Sequence, residues 1–441
     1  MSSLARTMLA AVAGAALVTG TAAAQLLPSL PPLNLPPVGN LPVAGPLLEQ
    51  AIQSPQARQA ISPTLDSVAG LPQQIAESGS GTLLELRRLR LRQLIRENSA
   101  QLEADTRGQP IRKGVLVAAT PDLDALRSAA RAGFRVIATE PNTELGLTTV
   151  YLAVPRGMST REAMQRLQRA APSIDADFDH VLEPAGGALL PSAAALAATS
   201  GAAGGIRIGL IDGGVASHAS LAGASIDQHG FSGSPQATGH GTAVASLIVG
   251  NQGPFRGAAR GASLFVADVY GGNRAAGSAS AVVRALNWLS GKRAQVINIS
   301  LVGPPNRLLA RAIQAVRSRG IQVVAAVGND GPAAPPQYPA SYPGVVAVTG
   351  VDARGRAIPE AGRAAHLDFA APGADMAAAL PGRGYAKVRG TSFAVPLVAS
   401  RLALAGSFQQ LAGEARPGRG RVGRGIVCGP CRVDPRVVDA K

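Results

Sequence analysis

From residue 206 onward, short runs rich in Val and Ile, at 206–211, 263–269, 296–299, 323–327 and 345–348, alternate with helix-forming segments near 242–249, 279–290 and 307–319. No other feature of the chain constrains its fold as much. Strands joined through helices return parallel to one another, and parallel strands must be covered on both faces. The alternation therefore predicts an α/β fold, a doubly wound parallel sheet flanked by helices. Composition agrees with it: 46% of residues are apolar but only 3% aromatic, so the core has to be Ala, Val, Leu and Ile packed closely against 52 glycines. The balance of 46% apolar to 16% charged residues is that of a globular chain and not of one disordered throughout.

Upstream, residues 113–184 carry a different order. A strand near 114–119, a helix opening at Thr120, Pro121 and Asp122, strands near 134–139 and 148–154, a helix from Ser159 with Glu162 placed for a capping box, and a strand near 174–182 spell β-α-β-β-α-β. That is the split, ferredoxin-like α+β unit, and by itself it specifies no activity. Residues 82–112 read as a basic amphipathic helix, expected over 82–104, with Leu83, Leu86 and Leu94 at helical spacing between Arg87, Arg88, Arg90, Arg92 and Arg96. Residues 25–81 are a Pro/Gly/Ala-rich leader expected to be disordered, and 185–205 are a small-residue linker.

The first 24 residues combine Arg6, an apolar run and a small-residue ending at Ala22, Ala23 and Ala24. They predict a signal peptide cleaved before Gln25 and a secreted or periplasmic, extracytoplasmic location. The apolar run is well short of the roughly 20 residues a membrane span needs, so no stable span is expected. The net charge of +15 owes much to the arginines of the 82–112 helix and to Arg416, Arg419, Arg421 and Arg424. Neither cluster interleaves aromatic side chains, so nucleic acid is not an expected partner. The first reads as the polar side of the helix, the second as a solvated tail.

Four segments of the α/β region set polar groups at strand ends or helix starts, where open parallel sheets bind ligands. A strand ends on Asp212, followed by Gly213 and Gly214; Gly239, His240, Gly241 and Thr242 open a helix; another strand ends on Gly328, Asn329, Asp330 and Gly331; and Gly390, Thr391, Ser392, Phe393, Ala394, Val395 and Pro396 lead into a helix. Singly, each has an ordinary explanation as a turn or a cap. In this order they resemble the subtilisin-like serine peptidases, the subtilases, over about 206–427, and the β-α-β-β-α-β unit resembles that family's pro-region.

The resemblance implies a serine endopeptidase with Asp212, His240 and Ser392 as catalytic triad and Asn329 as oxyanion donor, acting on protein or peptide substrates. It implies that substrate backbone pairs with Ser300, Leu301 and Val302 as an added strand, and that Ala326, Val327 and Gly328 also bind substrate. It further implies that the pro-domain acts as an intramolecular inhibitor and is removed by self-processing somewhere in 184–205. The chain departs from the family pattern at Val302, where a glycine is common, and at 250–261, where an asparagine-rich calcium loop is replaced by a stretch without a carboxylate. No cofactor and no tight calcium site at that loop are therefore expected; calcium elsewhere stays open, with Asp227 or Asp268 as oxygen donors. Cys428 and Cys431, the only cysteines, stand in Cys-Gly-Pro-Cys within a C-terminal tail, 428–441. That spacing suits redox chemistry in a cytosolic βαβ setting and a small structural disulfide in an oxidising one, which is the reading taken. The rival function for the whole chain is a catalytically silent subtilisin-like binding module.

Overall fold

A computed structural model describes residues 80–185, 205–382 and 384–440. The expected signal peptide, nearly all of the leader and the linker residues 186–204 lie outside the described residues. Helix α1 (Ser80–Glu97) buries Leu83, Leu91 and Leu94 along one side. It takes in the end of the expected leader and stops before Ala104. The Asn98 side chain donates to the Leu94 carbonyl (2.9 Å), while the Asn98 carbonyl accepts from the N–H groups of Gln101 and Leu102. Competition of this kind for last-turn backbone groups ends a helix, and the chain turns into strand β1 (Leu102–Ala104).

The α+β unit follows as β2 (Pro110–Ala119), α2 (Leu123–Arg131), β3 (Arg135–Asn142), β4 (Leu147–Ala153), α3 (Thr160–Ala170) and β5 (Ala176–His180). Its strands lie antiparallel in the order β3-β4-β2-β5, with β1 paired to the start of β2. Asp122 caps α2, and Ser159 and Glu162 form a reciprocal capping box on α3. Alternation along β2 and β4 splits the side chains between two cores. Leu116, Ala118, Val150 and Leu152 face α2 and α3; Val117, Ala119 and Tyr151 join the core of the following domain. The unit ends in β6 (Glu183–Pro184).

The second region runs β7 (Arg207–Asp212), β8 (Ser225–Gly230), α4 (Gly239–Val249), a small hairpin β9 (Asn251–Gln252) and β10 (Phe255–Arg256), β11 (Ser263–Asp268), α5 (Ala279–Gly291), β12 (Val296–Ile299), β13 (Leu301–Val302), α6 (Arg307–Ser318), β14 (Gln322–Ala326), β15 (Val346–Val351), β16 (Phe369–Pro372), β17 (Met376–Leu380), β18 (Gly384–Val388), α7 (Thr391–Ala405) and α8 (Phe408–Glu414). Seven strands form one parallel sheet in the order β16-β15-β14-β12-β7-β11-β8. Helices α4 and α7 cover one face, α5 and α6 the other. This is the doubly wound sheet the alternation predicts. The two edge strands, β8 and β16, escape a reading by apolar runs because one is polar and the other closes on Pro372.

The C-terminal segment is not a free tail. Gly425 and Val427 pair with Ala370 of β16 (2.9 and 2.8 Å), the Val433 carbonyl accepts from Ala377 of β17 (3.0 Å), and Val427 and Val433 are buried. Arg416, Arg419, Arg421 and Arg424 are exposed, but the small apolar residues between and beyond them turn inward. Cys428 and Cys431 are joined as a disulfide at the end of this return. No single described helix is long and apolar enough to cross a membrane; α7 and α8 pass such a test only together, across a 115° bend, and α7 is buried along most of its length.

Candidate active site

All four motif segments meet at the carboxyl end of the sheet. Asp212, the last residue of β7, is fully buried and receives the His240 imidazole, with Nδ1 2.9 Å from each carboxylate oxygen. His240 sits in the first turn of α4, whose N-cap Thr238 accepts the Gly241 N–H at 3.0 Å. Ser392 is the second residue of α7, so its N–H has no carbonyl one turn earlier to bind. The His240 ring lies 5.5 Å, centroid to centroid, from that of Phe393, the neighbour of Ser392. His240 Nε2 and Ser392 Oγ are both buried, and neither has a hydrogen-bond partner among the described residues. Buried polar atoms left without a partner are costly, and catalytic hydrogen bonds are commonly open until a reacting complex forms.

Pro396 explains part of the serine's setting. Inside α7 it has no N–H to give to the carbonyl four residues earlier, which belongs to Ser392. That carbonyl instead accepts from Ser300 Oγ (3.1 Å), which in turn accepts from Asn298 Nδ2 (3.0 Å). A proline in the nucleophile's helix thus wires the serine to the strand beside the cleft. Asn329 is oriented from the same helix: its Oδ1 accepts the Thr391 N–H (2.9 Å), leaving Nδ2 to point into the cleft. Gly390 is required twice, by its φ of +139° and because a Cβ there would stand 2.8 Å from Asn329 Nδ2.

The cleft is filled by the chain's own residues 181–185. β6 lies antiparallel to β13, with Pro184 opposite Leu301 and Glu183 opposite Val302. The Ala185 N–H donates to the Ser300 carbonyl at 2.8 Å, and the Ala185 carbonyl accepts from Asn329 Nδ2. Across from β13, the Leu182 N–H donates to the Gly277 carbonyl (2.8 Å), Val181 bridges Ser278, and the Tyr270 hydroxyl donates to the Leu182 carbonyl (3.0 Å). Ser300, Leu301 and Val302 therefore pair with the chain's own residues 183–185. Ala326, Val327 and Gly328 are all buried, and the Gly328 carbonyl is taken by Thr391 Oγ1 and the Gly362 N–H. Ala326 shares a core with Ala185, whereas Val327 packs into the other core.

Helix α1 reaches the same place, and its arginines are not all solvated. Arg87 Nε lies 3.0 Å from Asp330 Oδ2, Arg90 bridges Asp330 Oδ1 (3.0 Å) and Glu183 Oε1 (3.3 Å), and Arg274 from the second region meets Glu183 Oε1 at 3.2 Å. Burial alone would raise the Glu183 carboxyl, but the Arg90 and Arg274 guanidinium groups outweigh it and hold the carboxyl below its ordinary range. Arg90 is correspondingly pushed upward by the two carboxylates against its own burial. Gly277, Ser278, Tyr270 and the ion cluster in which Asp330 takes part are site features the sequence did not reveal. The only local signal was the i,i+3 spacing of Arg87 and Arg90 on the apolar side of a helix.

Among the described residues no group of three or more His, Cys, Asp or Glu side chains is placed to hold a metal ion. The two candidate calcium donors are otherwise engaged. Asp227 pairs with Lys292 at 2.8 Å, while Asp268 accepts the N–H groups of Gln236, Tyr270 and Gly271. Burial nevertheless pushes the Asp268 carboxyl up.

The profile of the subtilase family matches residues 203–415. Subtilisin Savinase of Lederbergia lenta is 35% identical over 206 residues, which make up 45% of this chain and 76% of that protein. An alkaline protease of Alkalihalobacillus alcalophilus is 35% identical over the same length, 45% of this chain and 53% of that protein. Among solved structures, fervidolysin from Fervidobacterium pennivorans, a keratinolytic enzyme related to subtilisin, matches with a TM-score of 0.58 at 18% identity, over 72% of this chain and 60% of that one. At that identity the last likeness speaks for the fold alone. With the blocks at Asp212, His240, Asn329 and Ser392 inside the matched region, the chain belongs to the subtilase family of serine peptidases.

Proposed function

We propose that this protein is a secreted serine endopeptidase made as a self-processing precursor, with Asp212, His240 and Ser392 as its triad, Asn329 as oxyanion donor and residues 113–184 as an inhibitory pro-domain. The observation that carries the reading is the seating of Ala185, whose N–H is on the Ser300 carbonyl and whose own carbonyl is on Asn329 Nδ2. A peptide held by backbone bonds on both sides of one residue, with that residue's carbonyl at a side-chain amide donor, is in the pose of a substrate about to be acylated. The bond then cut first is Ala185–Gly186.

In this mechanism His240 Nε2 takes the proton from Ser392 Oγ as the oxygen bonds to the Ala185 carbonyl carbon. Asp212 fixes Nδ1 as the protonated nitrogen and stabilises the imidazolium. Asn329 Nδ2 and the Ser392 N–H bind the oxyanion. His240 then hands its proton to the Gly186 nitrogen as the C–N bond breaks, leaving Ala185 esterified to Ser392. Water, deprotonated by His240, hydrolyses the ester and restores the serine. The orphaned His240 Nε2 and Ser392 Oγ are the two atoms this sequence needs unengaged.

Labelling of the secreted protein with a fluorophosphonate tests the reading. An adduct on Ser392, absent from Ser392→Ala and suppressed in His240→Ala, is the expected result; no adduct on the processed native protein rejects it.

A further inference from the structure

The residue that the cleft holds on the acyl side is an alanine, and the walls around it are closed. Along β13 the side chains alternate: Leu301 enters the core under α5 and α6, whereas Val302 turns to the opposite core, which includes Ala185, Ala326 and Phe393. Val302 is 5% exposed and Ala185 2%. The facing wall ends at Gly328, where a Cβ would meet Val302 Cγ1 at 3.4 Å and Gln337 Cγ at 3.3 Å. The space between Gly328 and Val302 is thus about one methyl group deep, with Gln337, 2% exposed, beside it. The Ala185 side chain projects from backbone pinned to both walls, by the Ser300 carbonyl on one and Asn329 on the other. A methyl group fits such a space. A larger side chain would have to displace Val302 from a close-packed setting.

We infer that Val302 is a specificity-determining residue that limits the acyl-side residue of a cleaved bond to the size of alanine or glycine. The inference rests on the peptidase reading above and goes beyond it by naming the substrate class: peptides with a small residue before the scissile bond.

The test uses the secreted, processed protein and two chromogenic peptides built on the chain's own Leu-Glu-Pro-X sequence at 182–185, with Ala or Phe as X. In the native protein kcat/KM for the Ala peptide should exceed that for the Phe peptide by about 100-fold or more, within the range a tight pocket achieves by excluding bulk. Val302→Gly should cut this ratio by about 10-fold or more, chiefly by gaining activity on Phe. Val302→Ala, which perturbs the strand less, should fall between. Equal use of the two peptides by the native protein, or an unchanged ratio in both variants, overturns the inference while leaving the peptidase reading intact. Absence of cleavage of either peptide together with absence of a Ser392 adduct overturns the peptidase reading, and this inference with it.

Discussion

Asn329 shows how much of the site is decided by single residues. Its carbonyl oxygen is tied to the Thr391 N–H at 2.9 Å, so the amide cannot flip without losing that bond, and Nδ2 is committed to the cleft. Asn329→Ala is expected to lower kcat by about 10²- to 10³-fold, the range measured when one side-chain oxyanion donor is removed from a subtilisin. KM should change little, and the fall should appear with any well-bound peptide in a steady-state assay. The motif residues were legible in the sequence because each block is local: an acid ending a strand, a histidine or serine opening a helix, a proline four residues past the serine. The contributions of Tyr270, Gly277 and Ser278 were not, since each acts through a hydroxyl or backbone group that any composition could supply. Val302 stood out by its place in the pattern, but only its closeness to where a Cβ on Gly328 would stand, 3.4 Å from its Cγ1, suggests a role for its side chain.

Among the elements, α1 is the one whose part could not be read from periodicity. Its leucines announced a helix, yet the same pattern fits a solvated basic face and a buried ion cluster equally well; the difference lies in Asp330 and Glu183, far away in sequence. Breaking a buried pair by removing one partner costs about 3–5 kcal/mol. In a Ser392→Ala background, Arg90→Ala should therefore leave Glu183 and Asp330 without their shared cation and speed hydrogen exchange of α1 by about 100-fold or more. Arg96→Ala, at an exposed position of the same helix, should leave the exchange unchanged. Equal protection in the two variants would show that α1 is held by its leucines alone. The edge strands β8 and β16 and the return of residues 425–433 onto β16 and β17 were also hidden, because edge pairing is made by backbone groups and leaves little apolar signature.

For the whole molecule, the account is that an N-terminal α+β unit lays its last residues along the catalytic cleft and is cut there by the enzyme it covers. The division into two kinds of region was readable from the change in strand and helix order. The place of the proposed cut was not, because 184–205 is a run of small residues with no distinguishing chemistry; the proposal of Ala185–Gly186 rests on the pairing of residues 183–185 with β13 and Asn329. Intact-mass analysis of the N-terminal fragment, taken early after expression of the full chain and of Ser392→Ala, tests this most directly. The account predicts a fragment whose C-terminus is Ala185 and a partner beginning at Gly186 from the native chain, with the Ser392→Ala chain left joined. Processing of both chains alike, or a first cut at any other bond, would contradict it.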